Sequence, residues 1–272
     1  MRWINTKPNR TLQLILLLAP FVLLILAYAL GSAARLAENP GDKLLPGLTA
    51  LSDAINRMAF QPDVRTGDYL LWADTAASLG RLFVALAIST AIALVIGMII
   101  GMFPYVRAVL APFFAVVSMV PPLALLPILF IALGLGETSK ITLIVIGVAP
   151  IMIRDLALKV LELPRELIVK AETLGGTSWQ IALRVVLPQV LPRLITCLRL
   201  QLGPAWLFLI AAEAISSDSG LGYRIFLVRR YLAMDVIFPY VVWITLLAVL
   251  TNIALDRLRI AVFPWSELGA KA

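Results

Sequence analysis

Few side chains in this sequence have the types and spacing that catalysis, metal binding or phosphate binding requires. The chain contains no histidine and one cysteine, Cys197, so it has no imidazole base, no histidine metal ligand and no internal disulfide. It also lacks a glycine-rich GxxxxGK[ST] phosphate loop, and no carboxylates are clustered within its apolar runs. We therefore expect no catalytic residue, no metal site and no cofactor in this chain.

Polar side chains inside long apolar runs are the other candidates, because an arginine at membrane depth is costly unless it faces protein or water. For Arg199 two alternatives stay open: a place on a solute path, or snorkelling and pairing within a helix bundle. Trp206 is suited to packing as well as to gating. The candidates for lining a solute path are Ser118, Pro121, Pro122, Arg199, Gln201 and Trp206.

The composition indicates that these residues lie in a bilayer. Hydrophobic residues make up 61% of the 272 residues and charged residues only 14%, whereas about a quarter of the residues in a soluble domain are charged. The net charge of +7 is better explained by basic residues on the cytosolic side of a membrane than by nucleic-acid binding. The sequence thus predicts a lipid-embedded protein with no nucleic-acid partner.

Apolar runs long enough to cross a membrane predict an all-α, polytopic helical bundle with about six transmembrane helices. Two of the runs are marginal. One must continue past Arg154 and Asp155 to be long enough, and the other carries Arg193 and Arg199 near its start. The six predicted spans are 12–30, 82–103, 109–135, 141–153 with its extension, 191–212 and 236–255.

Basic residues before the first span predict a cytosolic N-terminus. Six spans then return the C-terminus to the cytosol. By alternation, segment 35–74, which mixes acidic with basic residues, falls outside. The first apolar run exceeds a signal-peptide core, so we prefer an uncleaved anchor. The basic residues assigned to the cytosol are Arg2, Lys7, Arg10, Arg107, Arg154, Lys159, Arg165, Lys170, Arg184, Arg193, Arg257, Arg259 and Lys271.

The third predicted span is interrupted by Pro121, Pro122 and Pro127, each of which removes a backbone donor. A kinked helix that lines a cavity and a kink tolerated in ordinary packing are both consistent with this pattern.

The stretch AETLGGTSWQIALRVVLP, residues 171–188, predicts a helical hairpin between the fourth and fifth spans. Pro164 suits a helix start, Gly175 and Gly176 suit its end, and Thr177 with Gln180 has the spacing of a capping box. A helix of about nine residues is too short to be stable alone, so it must dock against something. Either the membrane surface or a groove on a soluble partner would serve. The predicted contact residues are Leu167, Ile168, Ala171, Leu174 and Gly175.

The pattern A-E-T-L-G, nine residues and then V-V-L-P resembles the cytosolic loop motif of permease subunits of bacterial ABC importers. Ala171, Gly175, Leu187 and Pro188 match that motif, and Val185 stands where the family usually has isoleucine. The resemblance implies that the predicted helix is a coupling helix that docks on an ATP-hydrolysing subunit. Two positions depart from the motif, since its leading Glu aligns with Val169 and its next Ala with Lys170.

Three further segments resemble the taurine, alkanesulfonate and nitrate branch of these permeases: TAASLGR, VPPLALLPILFIALGLGETSK and LRLQLGPAWLFLIAAEAISSDSGLGYRI. The resemblance implies a homodimeric permease in the bacterial inner membrane that takes up a small anion. It also implies a periplasmic solute-binding protein and two copies of an ATPase that binds the ATP and Mg²⁺. In the family's arrangement the segment after the fifth span faces the binding protein, which makes Glu213, Arg224, Arg229 and Arg230 docking candidates.

The sequence predicts three regions. Residues 1–73 form the N-terminal tail, first span and periplasmic loop, residues 74–265 form the permease core, and residues 266–272 form a cytosolic tail. Two alternatives remain: the same machinery with another small organic solute, such as a pyrimidine precursor, or a membrane scaffold that does not transport. A scaffold would not need an amphipathic cytosolic helix.

Overall fold

The computed structural model describes residues 9–64 and 66–268, and within these ranges the chain is helical with no strand. The prediction of an all-α bundle is therefore confirmed. Arg2, Lys7 and Lys271 lie outside the described residues, as does most of the predicted C-terminal tail. The helices are α1 (Arg10–Glu38), α2 (Leu48–Phe60), α3 (Leu70–Met102), α4 (Pro104–Val117), α5 (Leu126–Leu133), α6 (Glu137–Leu161), α7 (Arg165–Thr173), α8 (Ser178–Ile181), α9 (Leu187–Leu200), α10 (Leu202–Ser216), α11 (Leu221–Arg229), α12 (Met234–Val262) and α13 (Trp265–Leu268).

The chain divides into two compact units, of which the first comprises the described residues up to Tyr69 together with Val228–Val241. Asn9 caps α1 by accepting a hydrogen bond from the Leu12 amide at 2.8 Å. The Tyr28 hydroxyl donates to the Pro46 carbonyl at 2.7 Å, which ties α1 to the segment before α2. The predicted outer loop 35–74 therefore contains a helix, α2, that the sequence analysis did not predict.

The second unit comprises Leu70–Leu227 and the residues from Val242 onward. Its centre is the pair α3 and α6, which run parallel, since Arg81 bonds Glu137 near one end and Gly101 lies against Val160 near the other. We call these the Glu137 end and the Arg165 end. Gly97 allows the close approach, because a Cβ there would lie 2.9 Å from the Leu156 Cβ.

Replacing Gly101 tests this packing. A side chain at this position would overlap Val160 on α6, and overpacking a filled core costs about 1–3 kcal/mol. We expect Gly101→Val to lower the apparent melting temperature of the purified protein in a fluorescence melt. Gly80→Ala on the same helix meets open space, and it should leave that temperature unchanged. Equal melting of both variants would contradict the close α3–α6 contact.

The third predicted span is sharply bent, as the three prolines predict. Pro104–Val117 and Pro122–Leu133 meet at 82° across Ser118–Pro121. Pro122 begins a short 3-10 helix that ends at Leu125, just before α5. In the described residues five helices are long and apolar enough to cross a membrane, or six if this bent pair is one span. The count of about six is therefore confirmed.

The predicted fifth span, 191–212, consists of two helices rather than one. Helix α9 ends at Leu200 and α10 begins at Leu202, with Gln201 forming the turn. Both run antiparallel to α6, because Arg193 on α9 pairs with Asp155 and Phe208 on α10 lies over Gly147. From Asp155 to Glu137 is about 27 Å along α6 at 1.5 Å per residue. Arg193 to Glu213 covers a similar distance, so α9 and α10 together traverse the unit.

Candidate functional site

The segment after α6 forms the hairpin that the sequence predicts. Helix α7 follows Pro164 and ends before Leu174 and Gly175. Gly175 has φ +80°, a conformation that favours glycine, and the Gly176 amide donates to the Ala171 carbonyl at 2.9 Å. The end of α7 therefore depends on this glycine pair.

A reciprocal cap starts the second half of the hairpin. The Thr177 hydroxyl accepts from the Gln180 amide at 3.3 Å, and the Gln180 side chain accepts from the Thr177 amide at 2.9 Å. The predicted capping box is thus present. One turn of π-helix, Ala182–Val186, then leads into α9. Such π turns often occur at functional sites.

Helix α7 leaves much of its apolar surface uncovered within this chain. None of its residues is buried, and Leu174 is 87% exposed. Ile168 is partly covered and lines a cavity of about 350 Å³ with Gly101 and Phe103. Trp179, on α8 in the second half of the hairpin, was not predicted to be functional and is 71% exposed. Of the predicted contact residues, Ile168 thus lies toward α3, whereas Leu167 and Leu174 are exposed.

The candidates for a solute path lie in separate places in the second unit. Ser118 caps α4 at the bend, and its hydroxyl accepts from Arg154 Nη1 at 2.7 Å. Pro121 and Pro122 belong to the same bend. Arg199 donates to Asn252 Oδ1 at 3.0 Å and pairs with Asp256. Both partners of Arg199 lie on α12.

Two polar atoms near the α9–α10 turn are buried without a hydrogen-bond partner in the part of the chain that the structure describes. They are Gln201 Oε1 and Trp206 Nε1, in residues that are 8% and 4% exposed. An unpaired buried polar group costs about 1–3 kcal/mol. These residues are therefore better candidates for solute contact than Arg199.

A set of charges occupies the Glu137 end, and most of its members are buried, although the Glu137 side chain is 56% exposed. Glu213 is fully buried and accepts from Ser78 Oγ at 2.8 Å, from Arg81 Nη1 at 2.6 Å and from the Gly222 amide at 2.9 Å. Arg81 also donates two hydrogen bonds to the Glu137 carboxylate, from Nε to Oε2 at 2.5 Å and from Nη2 to Oε1 at 2.9 Å. The Lys140 ammonium donates to the same carboxylate at 3.0 Å.

The same charges hold the turn between α10 and α11. Arg81 Nη1 donates to the Ser219 carbonyl at 2.8 Å, and Asp74 accepts from the Gly220 amide at 3.0 Å. Asp74 also pairs with Arg224 at 2.8 Å. We call this set the Glu137-end network, and its members are Asp74, Ser78, Arg81, Glu137, Lys140, Glu213, Ser219, Gly220, Gly222 and Arg224.

The residues predicted to face a docked protein differ in their surroundings. Glu213 is inside the bundle, and Arg224 is half-buried beside Asp74. Arg229 and Arg230, at the end of α11, are exposed. Only these last two have the exposure that protein docking needs, and the buried network gives Glu213 another role.

Arg81, Asp74 and Lys140 were not among the residues predicted to be functional. Arg81 and Lys140 directly precede the predicted spans 82–103 and 141–153, so a charge at the start of each apolar run was a usable signal, whereas Asp74 lies in the predicted outer segment. No three His, Cys, Asp or Glu side chains are grouped as metal ligands among the described residues.

Residues 93–265 match the family described as "Binding-protein-dependent transport system inner membrane component". The taurine transport system permease protein TauC of Escherichia coli (strain K12) is 37% identical over 199 residues, which cover 73% of this chain and 72% of that protein. The bicarbonate transport system permease protein CmpB of Synechococcus elongatus is 30% identical over 212 residues, 75% of this chain and 76% of that protein.

Among solved structures, a chain of the MetNI methionine ABC transporter in an inward facing conformation has a TM-score of 0.64. The alignment covers 74% of this chain and 99% of that chain, at 23% sequence identity. At this identity the likeness shows the fold alone.

Proposed function

Since this chain belongs to the family of binding-protein-dependent transport system inner membrane components and is an ABC importer permease, we propose that it forms the solute path and couples it to a separate ATPase through α7. The observation that carries the coupling proposal is the exposed apolar surface of the hairpin formed by α7 and α8. This hairpin joins α6 to the π turn and α9. Leu174 and Trp179 would each remove a large apolar surface from water in a partner's groove.

Helix α7 can act as a lever because both of its flanks are short. Leu161 ends α6 only four residues before Arg165, and the capped α8 begins soon after Gly176. Closure of an ATPase dimer against α7 would therefore move the Arg165 ends of α6 and α9 together. Access to the path would then switch between two states, whose balance nucleotide binding sets.

The Arg165 end is the cytosolic end in this proposal, and both termini are cytosolic. Basic residues at that end support this orientation, among them Arg107, Lys159, Arg184 and Arg257. The Glu137 end then faces outward, toward a periplasmic binding protein. By the resemblance, the assembly holds a second permease copy and two ATPase copies.

The proposed substrate is a small anion, such as taurine, another sulfonate or nitrate. Two relatives are named for taurine transport and bicarbonate transport, and they support this class because each of these solutes carries an anionic group. Gln201 and Trp206 are the proposed solute-contacting residues, since each has a buried unpaired polar atom. Another small organic solute is the alternative.

The function is tested by affinity purification of the chain from its native membrane. We expect an ATPase and a periplasmic binding protein to copurify, and the isolated binding protein to bind taurine, nitrate or bicarbonate in calorimetry. Purification without an ATPase would contradict the permease–ATPase assembly. Binding of an uncharged solute alone would contradict only the anion assignment.

Charge reversal on α11 tests docking of the binding protein. Arg229→Glu with Arg230→Glu places two negative charges at an exposed end of α11. We expect ATPase stimulation by the binding protein to fall several-fold, because charges at the edge of a protein interface mainly determine how fast the two proteins associate. Arg257→Glu reverses an exposed charge near the other end of α12, and it should leave stimulation intact. Unchanged stimulation in the double variant would remove α11 from the docking surface.

A further inference from the structure

The Glu137-end network joins three long helical segments to one turn. Ser78 and Arg81 come from α3, Glu137 from α6 and Glu213 from the end of α10. The turn is Ser217–Gly220, and Arg81 and Asp74 bond its backbone directly. At this end the contacts between these elements are charge-assisted hydrogen bonds, which are roughly twice as strong as neutral ones.

The burial of these charges makes the connection hard to open. Arg81 is 7% exposed, Asp74 is 1% exposed and Glu213 is not exposed at all. Separating α3 from α10 would leave a buried guanidinium and a buried carboxylate without their partners, and this costs several kcal/mol. Buried ion pairs therefore hold the Glu137 ends of α3 and α10 together. Helix α6 is attached to them through Glu137, whose side chain is 56% exposed but accepts two hydrogen bonds from Arg81.

The turn itself has little freedom. Gly220 has φ +126°, and a Cβ there would lie 2.5 Å from Glu213 Oε1. A Cβ at Gly222 would lie 2.7 Å from the Ile210 carbonyl oxygen. The Leu221 amide, at the start of α11, donates to Ser78 Oγ at 2.9 Å. The first turn of α11 is thus fixed to α3 by the same residues that pair α3 with α10.

The second unit has flexible points elsewhere. The helix pair is bent at Ser118–Pro121, and the run from α9 to α10 is interrupted at Gln201. The bend and the Gln201 turn both lie away from the Glu137-end network. The helices can therefore change their angle at these two points, in response to a motion that starts at α7, without separating a buried ion pair.

We propose that Arg81 is a positioning residue that unites the α10–α11 turn, the start of α11 and the Glu137 ends of α3, α6 and α10 into one rigid body. Binding-protein contact with α11 then moves three membrane helices as a unit. This second statement rests on the proposed function, whereas the rigid body itself rests on the ion pairs alone.

Spin labels test the rigid body without any substrate. Thr138→Cys on α6 and Ile215→Cys on α10 are exposed positions beside the network, and the native Cys197 is buried. In the purified complex we expect the distance between the two labels of one chain to be narrowly distributed and identical without nucleotide and with ATP plus vanadate; singly labelled variants identify the distances between permease copies. The control pair Val116→Cys and Ile128→Cys lies on either side of the bend at Ser118–Pro121, where both positions are exposed, and its distance should change. A shift of the 138–215 distance between the two states would overturn the proposal.

Enzymatic coupling tests the role of Arg81 as a positioning residue. Arg81→Lys keeps the positive charge but cannot make both hydrogen bonds to the Glu137 carboxylate. Glu137→Gln removes the negative charge of the more exposed partner and so weakens the same contact. We expect both variants to keep basal ATPase activity in the complex and to lose at least about fivefold in stimulation by the binding protein, a typical coupling loss. Glu137→Asp, which keeps the charge, should restore part of the stimulation. Asp42→Asn removes an ion pair with Arg35 outside the network, and it should change neither value.

The outcomes separate this inference from the proposed function. If no ATPase copurifies with the unmodified chain, the proposed function fails, but the narrow 138–215 distance in the permease alone still supports the rigid body. If the ATPase copurifies and both network variants keep full stimulation, the positioning role of Arg81 is overturned. If Arg81→Lys fails to fold, the proposal is tested by the ATPase stimulation of Glu137→Gln and by the 138–215 distance in the chain whose network residues are unchanged.

Discussion

Gly175→Val is expected to reduce solute uptake by at least about tenfold while the chain still inserts into the membrane. A β-branched residue is strongly disfavoured at φ +80°, and a left-handed conformation costs about 1–2 kcal/mol even for ordinary residues. Apart from Gly175 and its two chain neighbours, no described atom lies within 4 Å of a Cβ at this position, so the effect comes from the backbone and not from a clash. The end of α7 would therefore unwind or rotate, and its contact surface would no longer fit the partner.

The measurement is uptake into proteoliposomes, with ATP hydrolysis recorded in parallel. We expect hydrolysis to persist while uptake is lost, which is the signature of uncoupling. Gly175→Asn is the matched control, because asparagine tolerates the left-handed region, and it should keep most of the uptake. Normal uptake by Gly175→Val would show that the geometry at the end of α7 does not matter for coupling.

Glu213→Ala is expected to cause the largest loss of stability among the variants described. It removes the buried acceptor of Ser78, Arg81 and the Gly222 amide at once. Removing one partner of a buried ion pair costs about 3–5 kcal/mol. At about 2–4 °C per kcal/mol for a chain of this size, the apparent melting temperature should fall by about 10 °C.

This loss is measured as the melting temperature and as the monodisperse fraction after detergent extraction. Glu166→Ala provides the control, since Glu166 is an exposed carboxylate in the first turn of α7. It should melt like the unmodified protein. A Glu213→Ala variant that melts with the control would mean that the network contributes little to the bundle.

The sequence predicted the elements whose signals are local. The capping box at Thr177, the helix end at Gly175 and the bend near Pro121 each depend on a few adjacent residues, and all three occur as predicted. The turn at Gln201 was not predicted. Gly203 and Pro204 follow it closely, but apolar residues continue on both sides, so 191–212 was predicted as one span.

The Glu137-end network depends on contacts between residues distant in the sequence. Arg81 and Glu213 are 132 positions apart, and Asp74 and Arg224 are 150 apart. Hydropathy marks each charge as costly but does not identify its partner. For that reason Glu213 and Arg224 were interpreted as surface residues, whereas one is buried and the other is paired with Asp74. The exposed Trp179 shows the same limit, since an aromatic residue in an apolar sequence gives no sign of its exposure.

Photocrosslinking from Leu174 tests the coupling proposal most directly. A benzophenone maleimide attached to Leu174→Cys reports what touches the exposed end of α7, and the buried Cys197 should not compete for the reagent. We predict a crosslinked product that contains this chain and an ATP-hydrolysing subunit, identified by mass spectrometry. We also predict that a membrane-impermeant maleimide added from outside leaves the introduced thiol unlabelled. Labelling from outside, or crosslinks to lipid alone, would contradict the account.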